Sequence, residues 1–294
     1  MAGIETMDES ALHREWPITL KRVWRIEGER ASEAEIEMVL EEPLALQING
    51  KQVAVMMRLP GMEKELAAGF ILSEGLVTSF LDVYTIHHCG QGLPSPMEPA
   101  PATESRNRVE IAVRPGALVA EARLDMVRLI RAGCGAVDVE RADLPLSPLP
   151  DGPVVPYSVL LGLEKAMRQE QHLHRQAGGL HAAALFSLAG EVVTLCEDVG
   201  RHNAMDKAIG YCLLRGILLD GKFLLSSGRL SSEMVTKALR VGLPLLASVS
   251  APTALAVQLA ERFNLTVIGY LRGRRMTIYT HPERVEMPPA MLPN

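Results

Sequence analysis

The sequence predicts an α/β protein whose larger part is a three-layer α/β/α sandwich, joined to a smaller N-terminal α+β domain. Two observations carry this. In the second half of the chain, apolar strand-like runs alternate with helical patterns of crossover length, as parallel βαβ units require. Three of those runs also break into a small polar loop before the next helix: EDVGRHN (Glu197 to Asn203), SSGRLSS (Ser226 to Ser232) and SAPT (Ser250 to Thr253). A doubly wound sheet places such loops at the carboxyl ends of its strands, so three helix N-termini converge on one crevice. Their unpaired N–H groups favour a bound anion such as phosphate.

The elements follow in order. ITLKRVWRI (Ile18 to Ile26) reads as a strand, and ALQINGKQVAVMMRL (Ala45 to Leu59) as a hairpin turning at Asn49-Gly50, the strongest short hairpin signal. GMEKELAAGFILSEGL (Gly61 to Leu76) has Leu66, Phe70 and Ile71 at helical spacing and packs on the sheet. VYTIHHC and NRVEIAV add strands on either side of a Pro-rich segment, Gly92 to Ser105, read as a surface loop. A second Pro-rich stretch, Leu144 to Pro156, marks the boundary region. The predicted domains are therefore residues 1–140, ending in the loop that carries Cys134, and residues 141–294.

In the larger domain PYSVLLGLEKAMRQEQHLHRQ (Pro156 to Gln176) is predicted as one helix, with Val159, Leu160, Leu163 and Met167 on one side and charge toward its end. HAAALFSLAGEVVTLCEDV gives two strands joined at Ala189-Gly190. There follow a helix from about Asn203, the strand KFLLSS, a helix EMVTKALRV and the strand LLASVS. A helix ALAVQLAERF and the strands LTVIGYL and RMTIYT complete the pattern.

Composition narrows the function. The 294 residues are 48% hydrophobic and 22% charged, which suits a globular protein with a substantial core. A formal net charge of −5 lacks the cationic surplus with which a generic nucleic-acid binder displaces counterions. MAGIETMDES carries neither a basic n-region nor an apolar h-region, and no apolar run reaches membrane-spanning length, so a cytoplasmic protein is expected. Cys89, Cys134, Cys196 and Cys212 form no CxxC pair, which points to reduced thiols rather than a zinc ribbon or disulfide framework. Cys196, in a strand, and Cys212, on the apolar side of a helix, read as core. His87, His88 and Cys89 alternate across a strand without a second ligand pair, so no metal site is expected.

The polar positions sharpen the crevice. His202 and Asp206 stand four apart at a helix start, as do Asn203 and Lys207, and both pairs can face it. The alternative is that Asp206 and Lys207 are solvated helix charges and His202 only assists the helix start. GRHN, SSGR and SAPT bring hydroxyls, glycines and two arginines to equivalent topological points, with Ser227, Gly228 and Arg229 in the second loop. RGRR (Arg272 to Arg275) adds three guanidinium groups after a strand, where they suit bidentate phosphate contacts or else form an exposed, solvated turn.

The succession GGLHAAALF, EDVGRHNAMDKAIG, SSGRLSSEMVTKA, LPLLASVSAPTALAVQLAE and LTVIGYLRGRRMTIYTHPERV closely resembles the FdhD family, the formate dehydrogenase accessory sulfurtransferases. EEPLALQINGKQVAVMMRLPGMEKELAAGFILSEGL matches the family's N-terminal domain, so the resemblance runs from about Glu41 to Arg284. It implies a sulfurtransferase that takes persulfide sulfur from a cysteine desulfurase and passes it to the molybdenum bis(molybdopterin guanine dinucleotide) cofactor. The sulfurated cofactor then enters formate dehydrogenase. The resemblance also implies a homodimer, with one guanine dinucleotide arm per subunit, and a larger domain similar to the cytidine deaminase fold.

The family's persulfide loop corresponds to RAGCGAVDVE, where Cys134 stands between Gly133 and Gly135. Two glycines let a partner's thiol approach closely, and Arg131 is the nearest cation in sequence to favour a thiolate. Family members often read C-G-x-C, but Val137 occupies the second position here, which leaves a single-cysteine relay. The cofactor is expected on Tyr270, Leu271, Arg272, Gly273, Arg274 and Arg275, with phosphates on the strand-to-helix loops through His202, Ser227, Gly228 and Arg229. Tyr270 would stack on a base. Hydrolytic deamination is disfavoured, because His181 is followed by Ala182 and Ala183 and the chain contains no PCxxC. A cofactor-binding chaperone that moves no sulfur is the competing reading.

Overall fold

The computed structural model describes residues 17–89, 105–118, 128–130 and 146–288. The described residues begin with a hairpin of β1 (Ile18–Glu27) and β2 (Arg30–Val39), which pair only with each other among the described strands. A five-stranded sheet follows, built from β3 (Glu42–Ile48), β4 (Lys51–Arg58), β5 (Val83–His88), β6 (Arg108–Val113) and β7 (Arg128–Ile130), in the order β5-β6-β3-β4-β7. Helix α1 (Glu63–Ser73) covers it. Asn49 and Gly50 both adopt positive φ, 48° and 79°, which a two-residue hairpin turn of this hand requires. Asn49 also accepts a hydrogen bond from Val113 N at 2.9 Å and donates one to Val113 O at 3.3 Å, so the turn is fastened to β6. Leu44, Leu46 and Ile48 on β3, Met56 on β4, and Leu66, Phe70 and Ile71 on α1 close this core.

The larger sheet has the order β10-β9-β11-β12-β13-β14. Its strands are β9 (His181–Ser187), β10 (Val192–Asp198), β11 (Lys222–Ser226), β12 (Leu245–Ser248), β13 (Thr266–Arg272) and β14 (Arg275–Ile278). Strands β11, β12 and β13 are parallel, whereas β9 and β14 run against their neighbours. Helices α4 (Arg201–Leu214), α5 (Ser232–Arg240) and α6 (Ala254–Arg262) connect the strands. They cover one face over Leu185, Leu224, Leu246 and Val267. On the other face α2 (Tyr157–Glu170) packs over Ala184, Phe186, Phe223, Leu225 and Ile268. Consecutive strand residues thus go to opposite helical layers, which is why the runs read as continuously apolar. The short strands β8 (Val155–Pro156) and β15 (Val285–Glu286) pair in parallel beside this layer. The architecture is the α/β one that the sequence predicts.

One expected helix is two. The stretch from Pro156 breaks at Gln171 (φ −74°, ψ 80°) and resumes as α3 (His172–Ala177). The cause is tertiary, because Glu197 at the end of β10 accepts from Leu173 N at 2.9 Å and His174 N at 2.8 Å. That carboxylate satisfies the new helix start in place of a local cap.

The two sheets meet through α1 and α4, which cross with their backbones nearly touching. A Cβ at Gly69 would lie 1.9 Å from Asp206 O, and one at Gly210 would lie 1.8 Å from Glu65 O. Only glycine permits this approach. Among the described residues no helix is long and apolar enough to cross a membrane.

Candidate functional site

The carboxyl edge of the larger sheet collects the three polar loops. Because β9 runs antiparallel to its neighbours, its first residue, His181, pairs with Asp198 at the end of β10. Ser227 Oγ accepts from Ala182 N at 2.8 Å and lies 3.3 Å from His181 Nδ1. Ser248 Oγ donates to Gly228 O at 2.6 Å and accepts from Ser250 N at 2.8 Å. A side chain at Gly228 would meet Arg201 Cδ at 2.9 Å and His181 Cε1 at 3.2 Å, so glycine lets both side chains cross the loop. The loops do meet, as expected.

Many of their donors are nevertheless engaged within the protein. Gly200 N donates to Asp198 Oδ1 at 3.1 Å, and Thr253 Oγ1 caps α6 by accepting from Ala256 N at 3.3 Å. Leu230 N donates to Ala251 O at 3.1 Å and Thr253 N to Leu230 O at 2.9 Å, which ties the SSGR and SAPT loops backbone to backbone. At the start of α5, His202 Nε2 lies 3.0 Å from Glu233 Oε2 and 3.4 Å from Ser231 Oγ. The hydrogen bond with His202 holds the Glu233 carboxyl below the usual carboxylate range, against its partial burial. Burial, and then the Arg201 charge, lower the His181 pKa, leaving a neutral imidazole at the sheet edge.

Three of the four residues expected to face the crevice turn elsewhere. Lys207 Nζ pairs with Asp198 Oδ2 at 2.8 Å and donates to Leu59 O at 2.9 Å. Asn203 Nδ2 donates to Met57 O at 2.8 Å and to Asp198 Oδ1 at 2.9 Å. Asp206 accepts from Ser73 Oγ at 2.6 Å and from Lys237 Nζ at 2.8 and 2.9 Å. Lys237 also pairs with Glu74 at 2.8 Å. Asn203, Asp206, Lys207 and Gly210 fall at i, i+3, i+4 and i+7, the stripe of α4 that faces the smaller sheet. They are neither solvated nor in the crevice, and only His202 stays beside it.

A second polar region lies where β13 turns into β14. Tyr270 adopts φ 53° and donates its N–H to Ser250 O at 2.9 Å, so the segment begins against the SAPT loop. Tyr270 and Arg272 are exposed while Leu271 is buried. Arg272 Nε donates to Val249 O at 2.6 Å, and Gly273 N donates to Glu164 Oε2 at 3.3 Å. Arg272, Gly273 and Arg275 line an open groove of about 670 Å³, whose opposite wall is Glu164, Lys165, Arg168 and Arg175 of α2 and α3. Arg229 and Arg274 are exposed, and neither lines that groove. The α2–α3 cations escaped the reading of the sequence, although the charge at the end of that helical pattern was their signal.

Comparison with known proteins now decides the family. The chain matches the FdhD/NarQ family over residues 39–286. It belongs to that family. It is 38% identical over 275 residues to the sulfur carrier protein FdhD of Streptomyces coelicolor, covering 91% of this chain and 95% of the relative. Identity is 36% over 273 residues with the FdhD of Mycobacterium tuberculosis, covering 90% and 97% of the two chains. The Thermoplasma acidophilum FdhD is 38% identical over 261 residues, covering 86% and 88%. The fold is similar to the crystal structure of a protein described as a formate dehydrogenase accessory protein from Desulfotalea psychrophila. That likeness has a TM-score of 0.74 at 24% identity and covers 92% of this chain and 100% of that one.

In this FdhD/NarQ chain Cys134, together with Arg131, Gly133, Gly135 and Val137, lies outside the described residues. Two of the three described thiols, Cys196 and Cys212, are buried and poor candidates for sulfur chemistry. Burial pushes the Cys196 thiol up to about 12 and raises that of Cys212 as well, so neither supplies a thiolate near neutral pH. His87 is exposed and His88 buried, with His88 Nε2 placed 2.6 Å from Arg106 O.

Proposed function

We propose that this FdhD/NarQ protein is a cytoplasmic, homodimeric sulfurtransferase for formate dehydrogenase. The Cys134 thiolate attacks the terminal sulfur of a cysteine desulfurase persulfide. The S–S bond to the desulfurase breaks, its thiolate leaves, and a new S–S bond forms on Cys134. That sulfur then passes to the molybdenum bis(molybdopterin guanine dinucleotide) cofactor before the cofactor enters formate dehydrogenase. The observation that carries the reading is family membership across residues 39–286, together with the glycine-framed Cys134. The cationic groove beside Tyr270 to Arg275 supports the cofactor's part in it, since the guanine dinucleotide arms bring phosphates that such a surface attracts.

Val137 in place of a second cysteine favours one competing reading, a chaperone that holds the cofactor without moving sulfur. Intact-protein mass spectrometry after incubation with a cysteine desulfurase and cysteine separates the two. A reductant-reversible gain of sulfur that is lost in Cys134→Ala supports the carrier. No gain alongside normal guanine nucleotide binding establishes the chaperone instead. Light scattering in solution tests the homodimer, and a monomer at working concentration would remove it.

A further inference from the structure

We infer that the β1–β2 hairpin is the arm by which two copies of this chain associate, the open edge of β1 pairing antiparallel with β1 of the second copy across a twofold axis at Trp24. The inference deepens the proposed homodimer and rests on that reading; what it adds is the surface. Joined in this way, the two hairpins make one four-stranded sheet in the order β2-β1-β1-β2.

Exposure is the first argument. A two-stranded hairpin is marginal in water unless further strands or a packed face support it. This hairpin has ten paired residues in each strand, and none of them belongs to a described hydrophobic core. It is fastened at its base, where Leu40 N donates to Pro17 O at 2.8 Å and Gln176 Nε2 donates to Glu37 Oε1 at 2.8 Å. Beyond the base, Leu20, Trp24 and Ile26 are 65%, 69% and 74% exposed. Alternate residues of a strand share a face, so these three form one apolar row that the described chain leaves uncovered.

The phase of the ladder is the second. Pro17 and Leu40 form a hydrogen-bonded pair, and such pairs alternate along an antiparallel ladder. Leu20, Arg22, Trp24 and Ile26 therefore turn their N–H and C=O groups to the open edge of β1. A twofold axis at Trp24 sets the two tryptophans side by side and places Arg22 opposite Ile26, Val23 opposite Arg25 and Lys21 opposite Glu27 of the second copy. The Lys21–Glu27 ion pair is then made twice, with an aromatic pair at the centre. An axis at Val23 would set Lys21 against Arg25, and one at Arg22 or Arg25 would put like charges on the axis itself. Charge selects the register.

Charge also selects the strand. Glu33, Glu35 and Glu37, all exposed, stand along the open edge of β2. A twofold pairing of β2 centred anywhere from Glu33 to Glu37 sets at least one glutamate against another, and like charges directly opposite destabilise a sheet. A row of charges of this kind guards an edge strand against unwanted pairing. Pairing β1 of one copy with β2 of the next would be heterologous and would leave an edge open for further copies, whereas β1 with β1 closes on two.

Sedimentation velocity of the full-length protein, joined to oxidative cross-linking, tests this. Trp24→Lys sets two ammonium groups on the axis and is expected to weaken the dimer at least about tenfold, whereas Glu35→Gln on the other edge should leave the dimer constant within about twofold. Trp24 is exposed, so its replacement spares the core. In a Cys89→Ser/Cys134→Ser background, Trp24→Cys brings two thiols together on the axis. Directly opposed, hydrogen-bonded residues have Cα atoms about 5.5 Å apart, within the span of about 4.4–6.8 Å that a disulfide bridges, so mild oxidation should yield a covalent dimer. Glu35→Cys in the same background should yield none, since three strand spacings, at least about 14 Å, separate the two copies of that position. A dimer undiminished by Trp24→Lys and without a cross-link at position 24 overturns the arm and leaves the homodimer to another surface. Weakening without the cross-link overturns the axis at Trp24. A parent protein that is monomeric overturns the arm and the homodimer together, and sulfur loading on Cys134 remains a separate readout of the proposed transfer.

Discussion

Replacing Gly210 by alanine should destabilise the protein, although helix propensity alone predicts the opposite. Alanine in a helix interior is worth about 1 kcal/mol over glycine. At Gly210, however, the new Cβ would lie 1.8 Å from Glu65 O. An ordinary close C···O contact is about 3.3 Å, so α1 and α4 must separate by about 1.5 Å. That displacement stretches Ser73–Asp206 from 2.6 Å and Lys207–Leu59 O from 2.9 Å beyond hydrogen-bonding range. Overpacking costs about 1–3 kcal/mol, and each lost bond to a charged group a further ~1.5–3 kcal/mol. After the propensity gain is subtracted, the net loss is on the order of 3 kcal/mol or more. The assay is guanidinium denaturation followed by circular dichroism, with Gly162→Ala as the matched control. Gly162 sits in α2 with nothing within 4 Å of its added Cβ, so there the propensity gain should appear unopposed. A Gly210→Ala protein as stable as the parent would refute the account of the α1–α4 crossing.

Three further outcomes follow from the same geometry. Lys237→Met should cost about 3–5 kcal/mol in denaturant unfolding, because it leaves the buried Asp206 carboxylate without its cation; Asp206→Asn made in that background should recover part of the loss. His181, whose pKa in the fold is held below its ordinary 6.5 by burial, favours the folded state only while neutral. The unfolded chain takes the proton first, so stability should decline as pH falls below 6.5, and thermal melts of His181→Gln should show a shallower decline. Cys196, buried and with its thiol pushed up to about 12, should resist alkylation in the folded protein and react once guanidinium unfolds it; equal rates in both states would contradict the described core.

Much of the fold was legible because it is written in local periodicity. Continuous apolar runs such as HAAALF and KFLLS are what a strand buried on both faces demands, and Asn49-Gly50 satisfies the positive φ of its turn without outside help. The break at Gln171 was not legible. The donors of α3 are satisfied by Glu197, whose place beside them exists only after the sheet and helices have assembled.

The same division runs through the site. The sequence by itself determined the alternation of strands and helices from β9 to β14, the meeting of three polar loops at one sheet edge, and a family signature that points to Cys134. It also placed Asn203, Asp206 and Lys207 on one helical stripe, since spacing along a helix is a local property. The tertiary structure alone decided which way that stripe faces. Buried charges need partners, and besides nearby Asp198 theirs are Leu59, Ser73 and Lys237, supplied by other elements of the fold. The groove is likewise a product of folding. Arg272 and Arg275 stand on a turn, Arg168 and Arg175 belong to a helical segment on the other side of several strands in sequence, and packing of α2 on the sheet makes them one cationic surface.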